Sequence, residues 1–317
     1  MTSEANISEV LRPIPSWETP RAIAVGGISM CSEKKALYHQ YLNFVGALSE
    51  FIPVHFFASN DSVVQLSSML LSSNVKFFDY NLNTMWIRDY SPIWLRGSGV
   101  VKLCNFPYGA NYFEKQEHDD QFSAFLAALL KLELVFDFPR KRPEFYFDGG
   151  NLQVDDSSIC FTAIKDEDKE FPGEEGRKAL LEKIGCAKVV FLNPIPGEPT
   201  GHVDTFMKII PGQKVLLAQY ECEPHRSAML ENKKILLAEG YEVICVQHSS
   251  QHGKQTWSYI NSVLVGEHLF VPQYGMAEFD EKALLDYGKT GLQLRPIQAD
   301  HIMNERGSLH CITAPIY

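Results

Sequence analysis

Short apolar stretches alternate with longer amphipathic ones along most of this 317-residue chain. Arg21–Ile28 is apolar and rich in β-branched residues, which predicts a buried strand, and Phe51–Ala58 predicts another. Between them, Ser32–Leu48 has apolar residues at helical spacing, with Ser32 as N-cap. Further helices are predicted near 60–71, 116–131, 174–184, 223–239 and 276–287, and further strands near 75–80, 91–96, 100–106, 151–155, 158–163, 187–192, 204–210, 214–219, 241–246, 258–265, 268–272, 292–298 and 309–315.

The order of these elements repeats after Gly150. A unit of two strands, a helix and a strand recurs about every 50–60 residues, and a period of this size is typical of repeated architectures. The repeat is seen only in the order of strands and helices, since the amino-acid sequences of the units show no visible identity. No linker-like segment divides the chain. The pattern therefore predicts a closed α/β architecture in one domain spanning residues 1–317.

The composition is that of an ordinary globular protein, with 45% hydrophobic and 21% charged residues. A net charge of −10 argues against nucleic acid or an anionic membrane as the main partner. No apolar run approaches the ~20 residues of a membrane-spanning helix. Residues 1–9 have neither the basic nor the apolar region of a signal peptide, so none is predicted.

The seven cysteines are odd in number, and no two have C-x-x-C spacing. This pattern indicates neither a disulfide framework nor a zinc site, so we expect reduced thiols and a cytoplasmic protein. The ten histidines include no H-E-x-x-H motif, and we therefore expect no metal. The cysteines are Cys31, Cys104, Cys160, Cys186, Cys222, Cys245 and Cys311.

Cys311 follows a turn of small residues that begins at Gly307, and a short apolar strand follows it. A catalytic thiol needs a tight turn and close approach of a substrate, both of which a glycine permits. Buried inert thiols are commoner than catalytic ones, so this segment alone does not assign a nucleophile.

Three more segments supply an imidazole and carboxylates. His202 and Asp204 lie two residues apart in a segment that we expect to be extended, where they would share one face. Asp89 follows Trp86 and Arg88, and a structural salt bridge is the alternative interpretation of this Arg-Asp pair. The third segment is Asp148-Gly149-Gly150-Asn151, for which a hairpin turn is the alternative, and Asn261 lies in a predicted strand at 258–265.

Together and in this order, the four segments resemble the agmatine deiminase and bacterial peptidyl-arginine deiminase family. The resemblance runs from about residue 13 to the end of the chain. It implies a five-bladed, pseudo-symmetric α/β propeller of ββαβ units around a central active-site channel. It also implies metal-free hydrolysis of a guanidinium group to a ureido group and ammonia, without a cofactor.

The same resemblance assigns roles to individual residues. It implies that Cys311 attacks the guanidinium carbon as a thiolate and that His202 protonates the departing ammonia and then activates water. Asp148 would orient His202, although agmatine deiminases of this family usually carry glutamate at this position. Asp89 and Asp204 would hold the guanidinium nitrogens. Trp86, Asn261 and Gly307 would complete the substrate pocket.

The group beyond the guanidinium is left open by the sequence. The family resemblance and the expected cytoplasmic location favour agmatine, with N-carbamoylputrescine as product, and free arginine and peptidyl-arginine are the alternatives. Arg96, Arg140 and Arg142 are candidate partners for a substrate carboxylate. The favoured partner is a small cationic guanidinium compound, and a homodimer is not excluded. An inactive binding protein and an amidinotransferase, in which an amine replaces water, are the alternatives outside this activity.

Overall fold

A computed structural model describes most of the chain. The described residues are 10–27, 34–60, 62, 67, 69–70, 72–108, 117–137, 146–165, 173–249 and 257–317. Much of the helix predicted at 60–71 lies outside them, as do Cys31, Arg140 and Arg142.

Seventeen strands form five separate sheets in the described ranges. They are β1 Arg12–Pro13, β2 Ala22–Gly26, β3 Val54–Ala58, β4 Val75–Asp79, β5 Ile93–Arg96, β6 Val101–Asn105, β7 Leu134–Asp137, β8 Gln153–Val154, β9 Ile159–Ala163, β10 Lys188–Leu192, β11 Met207–Ile210, β12 Lys214–Gln219, β13 Glu242–Gln247, β14 Val263–Val265, β15 His268–Gln273, β16 Gln293–Gln298 and β17 Thr313–Ile316.

Seven α-helices accompany these strands in the described part of the chain. They are α1 Lys35–Ser49, α2 Ile87–Tyr90, α3 Glu117–Leu130, α4 Gly173–Lys183, α5 His225–Ala238, α6 Ala277–Gly288 and α7 Asp300–Met303, and Gly149–Asn151 and Val203–Thr205 form single 3-10 turns.

The predicted repeat of two strands, a helix and a strand is confirmed. In β5–β6–α3–β7 the first two strands pair antiparallel and the third pairs parallel to the second. The same order and directions recur in β8–β9–α4–β10, in β11–β12–α5–β13 and in β14–β15–α6–β16. The fifth sheet is assembled from both ends of the chain, because β17 pairs antiparallel with β2 and β3 and β4 follow in parallel.

The sheets are mixed, and the predicted α/β class is confirmed. No described strand pairs with a strand of another sheet, so strand pairing alone does not establish a closed ring. The five-bladed propeller stays a prediction.

The helices pack their apolar sides onto the sheets. Helix α1 buries Phe44 and Leu48 fully, and the Phe44 ring meets the Phe270 ring edge to face at 6.1 Å. Full burial of one such side chain stabilises a fold by roughly 1.5–3 kcal/mol. Because Phe270 belongs to β15, α1 also ties the fourth repeat to the sheet that contains the chain ends.

Four segments that lead into strands depart from the sequence prediction. Arg88 and Asp89 lie in the short helix α2, and His202 precedes a 3-10 turn that contains Asp204. The extended geometry expected for His202 and Asp204 is therefore wrong, and the helix at Arg88 and Asp89 was not predicted. Likewise Gly149–Asn151 is a 3-10 turn, and Cys311 lies in a turn before β17. Strands β1 and β7 were not predicted.

Cys160 and Cys186 form a disulfide with a Cα–Cα distance of 5.8 Å. The expectation that all seven thiols are reduced is wrong for this pair. Spacing along the chain did not reveal it, because the two residues meet through the parallel pairing of β9 with β10. The thiol argument for a cytoplasmic location is thereby lost. Free thiols in the described ranges are Cys104, Cys222, Cys245 and Cys311.

Candidate active site

The first strand of each repeat is preceded by a short helix or turn that carries a polar side chain. These five strands are β5, β8, β11, β14 and β17. They hold equivalent positions in the five sheets, so the segments that precede them lie close together. The resulting cluster contains Asp89, Asp148, His202 with Asp204, Asn261 and Cys311.

His202 lies between two carboxylates. Its Nε2 is 3.1 Å from Oδ2 of Asp148, and its Nδ1 is 3.5 Å from Oδ1 of Asp89. Burial alone would lower the pKa of His202, but the charges of Asp89 and Asp148 outweigh it and raise this pKa to about 10. The imidazole is therefore protonated at neutral pH. The aspartate at position 148 reaches the histidine although it is one methylene shorter than glutamate.

Asp89 is buried, and burial raises its pKa to about 8. The positive charge of His202 opposes this rise, whereas Asp148 and Asp204 add to it. The backbone N–H of Gly150 donates a hydrogen bond of 3.1 Å to Oδ1 of Asp89. The hydrogen bond and the neighbouring imidazolium limit this rise in pKa but do not abolish it.

The glycine pair at 149 and 150 is required by close packing. A Cβ on Gly149 would lie 2.3 Å from the carbonyl oxygen of Arg88. A Cβ on Gly150 would lie 2.5 Å from Oδ1 of Asp89 and 2.9 Å from Nδ1 of His202. These distances are shorter than van der Waals contact. Any side chain at either position would displace the residues of this cluster.

Asp204 is almost fully buried, and its two carboxylate oxygens have different surroundings. Oδ2 lies 2.7 Å from Nδ1 of His310. Oδ1 is buried without a hydrogen-bond partner among the described residues. Burial raises the pKa of Asp204 to about 6, against the opposing charges of His202 and Arg88. A buried acceptor without a donor is rare in native proteins, which makes this oxygen a candidate contact for a ligand.

The Cys311 thiol is the nucleophile candidate in this cluster. Its Sγ lies 4.0 Å from Oδ2 of Asp204, and the residue is 9% exposed. Burial raises the pKa of Cys311 well above its ordinary value, and the charges of Asp204 and Asp89 raise it further. Before substrate binds, Cys311 is therefore a protonated thiol. A cation bound by the two aspartates would reverse this effect.

Asn261 holds the turn that carries the thiol. Its Oδ1 accepts hydrogen bonds from the backbone N–H groups of His310 and Cys311, at 3.0 and 3.2 Å. Its Nδ2 donates to the carbonyl oxygen of Asp204 at 3.3 Å. These contacts give Asn261 a positioning role, and its predicted contact with substrate stays a prediction.

Trp86 and Gly307 lie against each other. A Cβ on Gly307 would lie 2.2 Å from the indole ring of Trp86, so glycine is needed here to let the ring approach. The half-buried indole therefore stands next to the segment that leads to Cys311. This arrangement suits the side wall of a pocket, which is the role that the sequence predicts for both residues.

Sequence reasoning missed two side chains near this cluster, His310 and Lys208. His310 binds Asp204 through Nδ1, and burial, with the charges of Arg88 and Lys208, lowers its pKa well below the ordinary value. It is therefore neutral, with a proton on Nδ1. Lys208 is buried in β11, and a lysine in the otherwise apolar run Met207–Ile210 was the available signal.

Of the arginines considered for a substrate carboxylate, Arg96 is already engaged. Its guanidinium binds both carboxylate oxygens of Glu18, at 2.6 and 2.9 Å. Arg140 and Arg142 lie outside the described residues.

Within the described ranges, no group of three or more His, Cys, Asp or Glu residues is arranged to hold a metal ion. None of the described helices is both long and apolar enough to span a bilayer.

Comparison with known proteins identifies relatives over nearly the whole chain. A protein of Legionella pneumophila, provisionally named agmatine deiminase, is 24% identical over 298 residues, which cover 86% of this chain and 84% of that protein. The agmatine deiminase of Enterococcus faecalis superimposes with a TM-score of 0.85 at 19% identity, over 97% of this chain and 96% of that one. The agmatine deiminase of C. jejuni superimposes with a TM-score of 0.82 at 20% identity, over 100% and 99%.

The profile of a protein family matches residues 28–316, which include every candidate site residue. The family is described as Porphyromonas-type peptidyl-arginine deiminase, and its members hydrolyse C–N bonds in linear amidines. This chain belongs to the Porphyromonas-type peptidyl-arginine deiminase family.

Proposed function

We propose that this protein hydrolyses a guanidinium group to a ureido group and ammonia, through a covalent intermediate on Cys311, and that agmatine is its preferred substrate. The observation that carries the proposal is the unpartnered, buried Oδ1 of Asp204 beside the Cys311 thiol. A guanidinium cation supplies N–H donors to such an oxygen and a carbon for the sulfur to attack.

Binding and activation are one step in this mechanism. The guanidinium lies between Asp89 and Asp204 and places a positive charge beside Cys311. That charge lowers the pKa of the thiol, which loses its proton as the cation binds. Cation binding and proton release together leave the charge of the buried site unchanged. The thiolate thus forms when a substrate is present to receive it.

The chemical steps use His202 first as an acid and then as a base. The thiolate attacks the guanidinium carbon, and the imidazolium donates its proton to the departing nitrogen, which leaves as ammonia. The product is an S-alkylthiouronium on Cys311. Neutral His202 then takes a proton from water, the resulting hydroxide attacks the same carbon, and the thiolate is expelled as the ureido product forms. Asp148 holds the imidazole in position through the 3.1 Å contact.

The preference for agmatine is supported by the names of the relatives and by the engagement of Arg96. Agmatine has no carboxylate, and Arg96 is bound to Glu18 and so is not available to a carboxylate. The family description favours peptidyl-arginine as the alternative.

A substrate panel scored by ammonia release distinguishes these alternatives. Agmatine, free arginine and a peptide ending in arginine are compared by kcat/KM, with and without an acceptor amine. We expect agmatine to have the highest value and the acceptor to have no effect. A higher value for the peptide reverses the substrate assignment, and an amidinated acceptor shows transfer in place of hydrolysis. An inactive binding protein would release no ammonia from any of the three compounds.

We further infer that the five sheets are the blades of a closed propeller. The inference is supported by the repeated ββαβ order and by the pairing of β17 with β2, which joins the two ends of the chain in one sheet.

A further inference from the structure

A cavity of about 90 Å³ lies behind the catalytic cluster. Arg88, Gly149 and His310 line its walls. Each of them is next in sequence to a residue of the cluster, and those neighbours, Asp89, Asp148 and Cys311, do not line the cavity. The five strands β5, β8, β11, β14 and β17 each contribute wall residues. The cavity therefore occupies the reverse side of the layer that carries the catalytic groups.

The N-terminal lead-in closes this side of the molecule. The backbone N–H of Ile14 donates to the carbonyl oxygen of Trp94 at 2.9 Å, and that of Ser16 donates to the carbonyl oxygen of Val154 at 2.8 Å. The Tyr317 hydroxyl donates to the carbonyl oxygen of Glu18 at 3.2 Å. These contacts make the lead-in a fixed wall of the cavity.

Two cationic side chains line this cavity without a carboxylate partner there. Lys208 is 5% exposed, and its ammonium group makes no hydrogen bond or ion pair with any described residue. The Arg88 guanidinium makes one hydrogen bond, from Nε to the carbonyl oxygen of His310 at 3.4 Å. The carboxylate of Glu18, the acidic side chain in the wall, is taken by Arg96 at 2.6 and 2.9 Å.

A buried cation without a hydrogen-bonded carboxylate is costly, because opposite charges farther away offset its desolvation only in part. Burial and then the charge of Arg88 lower the pKa of Lys208 to about 7, against the charges of Asp204 and Cys311. An anion in the cavity would relieve this cost for both cations. Since a buried water needs roughly 10–15 Å³ by a comparable measure, the space accommodates several waters or one small tetrahedral oxyanion.

We propose that this cavity binds a small oxyanion, which is held between the Lys208 ammonium and the Arg88 guanidinium. The site differs from the guanidinium site in the charge of its ligand, which is negative, and in the residues that line it. The backbone N–H of Arg88 donates to the carbonyl oxygen of Cys311 at 3.1 Å. An anion held by Arg88 therefore supports, from behind, the turn that carries the thiol.

Sulfate is a suitable probe because its charge does not change between pH 6.5 and 8.5. Isothermal titration at constant ionic strength should show saturable binding of one sulfate per chain at pH 6.5. Lys208→Met should weaken this binding at least tenfold. Lys234→Met is the matched control, because Lys234 is an exposed lysine of α5 paired with Glu231, and it should bind sulfate as the wild type does.

The pH dependence of sulfate binding distinguishes the titration of Lys208 from the titration of its neighbours. The titratable groups that face it are Arg88 from α2, Asp204 from the turn before β11, His310 and Cys311 from the turn before β17, and Glu18 from the lead-in. Binding by the wild type should weaken from pH 6.5 to 8.5 as the lysine loses its proton. Lys208→Arg should bind equally at both values, whereas weakening caused by ionisation of Asp204 would persist in this variant.

Three results would overturn the proposal. The first is the absence of saturable sulfate binding by the wild type at pH 6.5. The second is unchanged binding in Lys208→Met or, should that variant fail to fold, in Lys208→Gln. The third is displacement of sulfate by a guanidinium competitor, which would exclude a site separate from the catalytic one.

Discussion

Nε2 of His202 lies 3.1 Å from Oδ2 of Asp148, while Nδ1 of the same ring faces Oδ1 of Asp89 at 3.5 Å. Both edges of the imidazole therefore meet negative charge. This arrangement keeps the ring protonated before substrate arrives, which is the state needed to protonate a departing amine. In the proposed mechanism, the carboxylates that bind the substrate and orient the imidazole thus also keep the acid protonated.

Asp148→Asn should remove one of the charges that raise the pKa of His202. In the wild type, kcat/KM should fall at high pH as His202 loses its proton near its pKa of about 10. The variant should show this fall at lower pH and an activity reduced roughly 10- to 100-fold. A pH–rate profile measures both effects, and Asp156→Asn, at an exposed position, is the control. If the alkaline limb of the profile does not shift, Asp148 does not raise the pKa of His202.

Cys311→Ala should abolish ammonia release and leave the fold intact, and Cys311→Ser should be nearly as inactive. A haloacetamidine carries its own cation and should label Cys311 in preference to the exposed Cys222. Mass spectrometry locates the label, and Cys222→Ser should keep full activity. Substantial turnover by Cys311→Ala would exclude the covalent mechanism.

The sequence predicted the order of elements because strand and helix periodicity are local properties. The geometry of the site could not be predicted in the same way. Asp89 and Asp204 were identified as candidates, but Asp89 lies in a short helix that was not predicted, and Asp204 lies in a 3-10 turn and not in the expected strand. The contact of His310 with Asp204 and the burial of Lys208 depend on packing between different repeats, and local patterns carry no information about such packing.

Asp89 and Asp204 should act as a pair on one cation. Ionisation of Asp204, with a pKa of about 6, and of Asp89, with a pKa of about 8, should raise kcat/KM as the pH rises through this range. Asp89→Asn and Asp204→Asn should each cost several kcal/mol in kcat/KM, on the order of 10²- to 10³-fold or more. The double variant should lose much less than the sum. Strictly additive losses would show that the two residues have separate roles.

The same pKa values predict how stability depends on pH. A carboxyl whose folded pKa exceeds its usual value of 3.8 binds more protons in the folded state, so stability falls as the pH rises from about 4 to about 8. His202, with its pKa raised above 6.5, contributes a fall in the same direction up to about pH 10. Asp89→Asn should reduce both effects.

Thermal unfolding at pH 6 and pH 9 measures this dependence. Wild type should lose several degrees more in Tm than Asp89→Asn between the two values, since one pKa unit corresponds to about 1.4 kcal/mol. Asp156→Asn should follow the wild type. An equal pH dependence in wild type and Asp89→Asn would show that burial of this carboxyl does not limit stability.

Gly150→Ala tests whether close packing of the glycine turn sets the geometry of the acid and the carboxylate. The new methyl group would lie 2.5 Å from Oδ1 of Asp89 and 2.9 Å from Nδ1 of His202, so these two side chains must move apart. We expect at least a 100-fold loss in kcat/KM, because a displacement of about 1 Å can cost this much.

Gly46→Ala is the matched control. A Cβ at Gly46 meets nothing within 4 Å, and alanine in a helix is favoured over glycine by roughly 0.5–1 kcal/mol. The control should therefore retain activity and unfold at a slightly higher temperature. Near-normal activity in Gly150→Ala would show that the cluster tolerates displacement and that the close approach of residue 150 is not needed for catalysis.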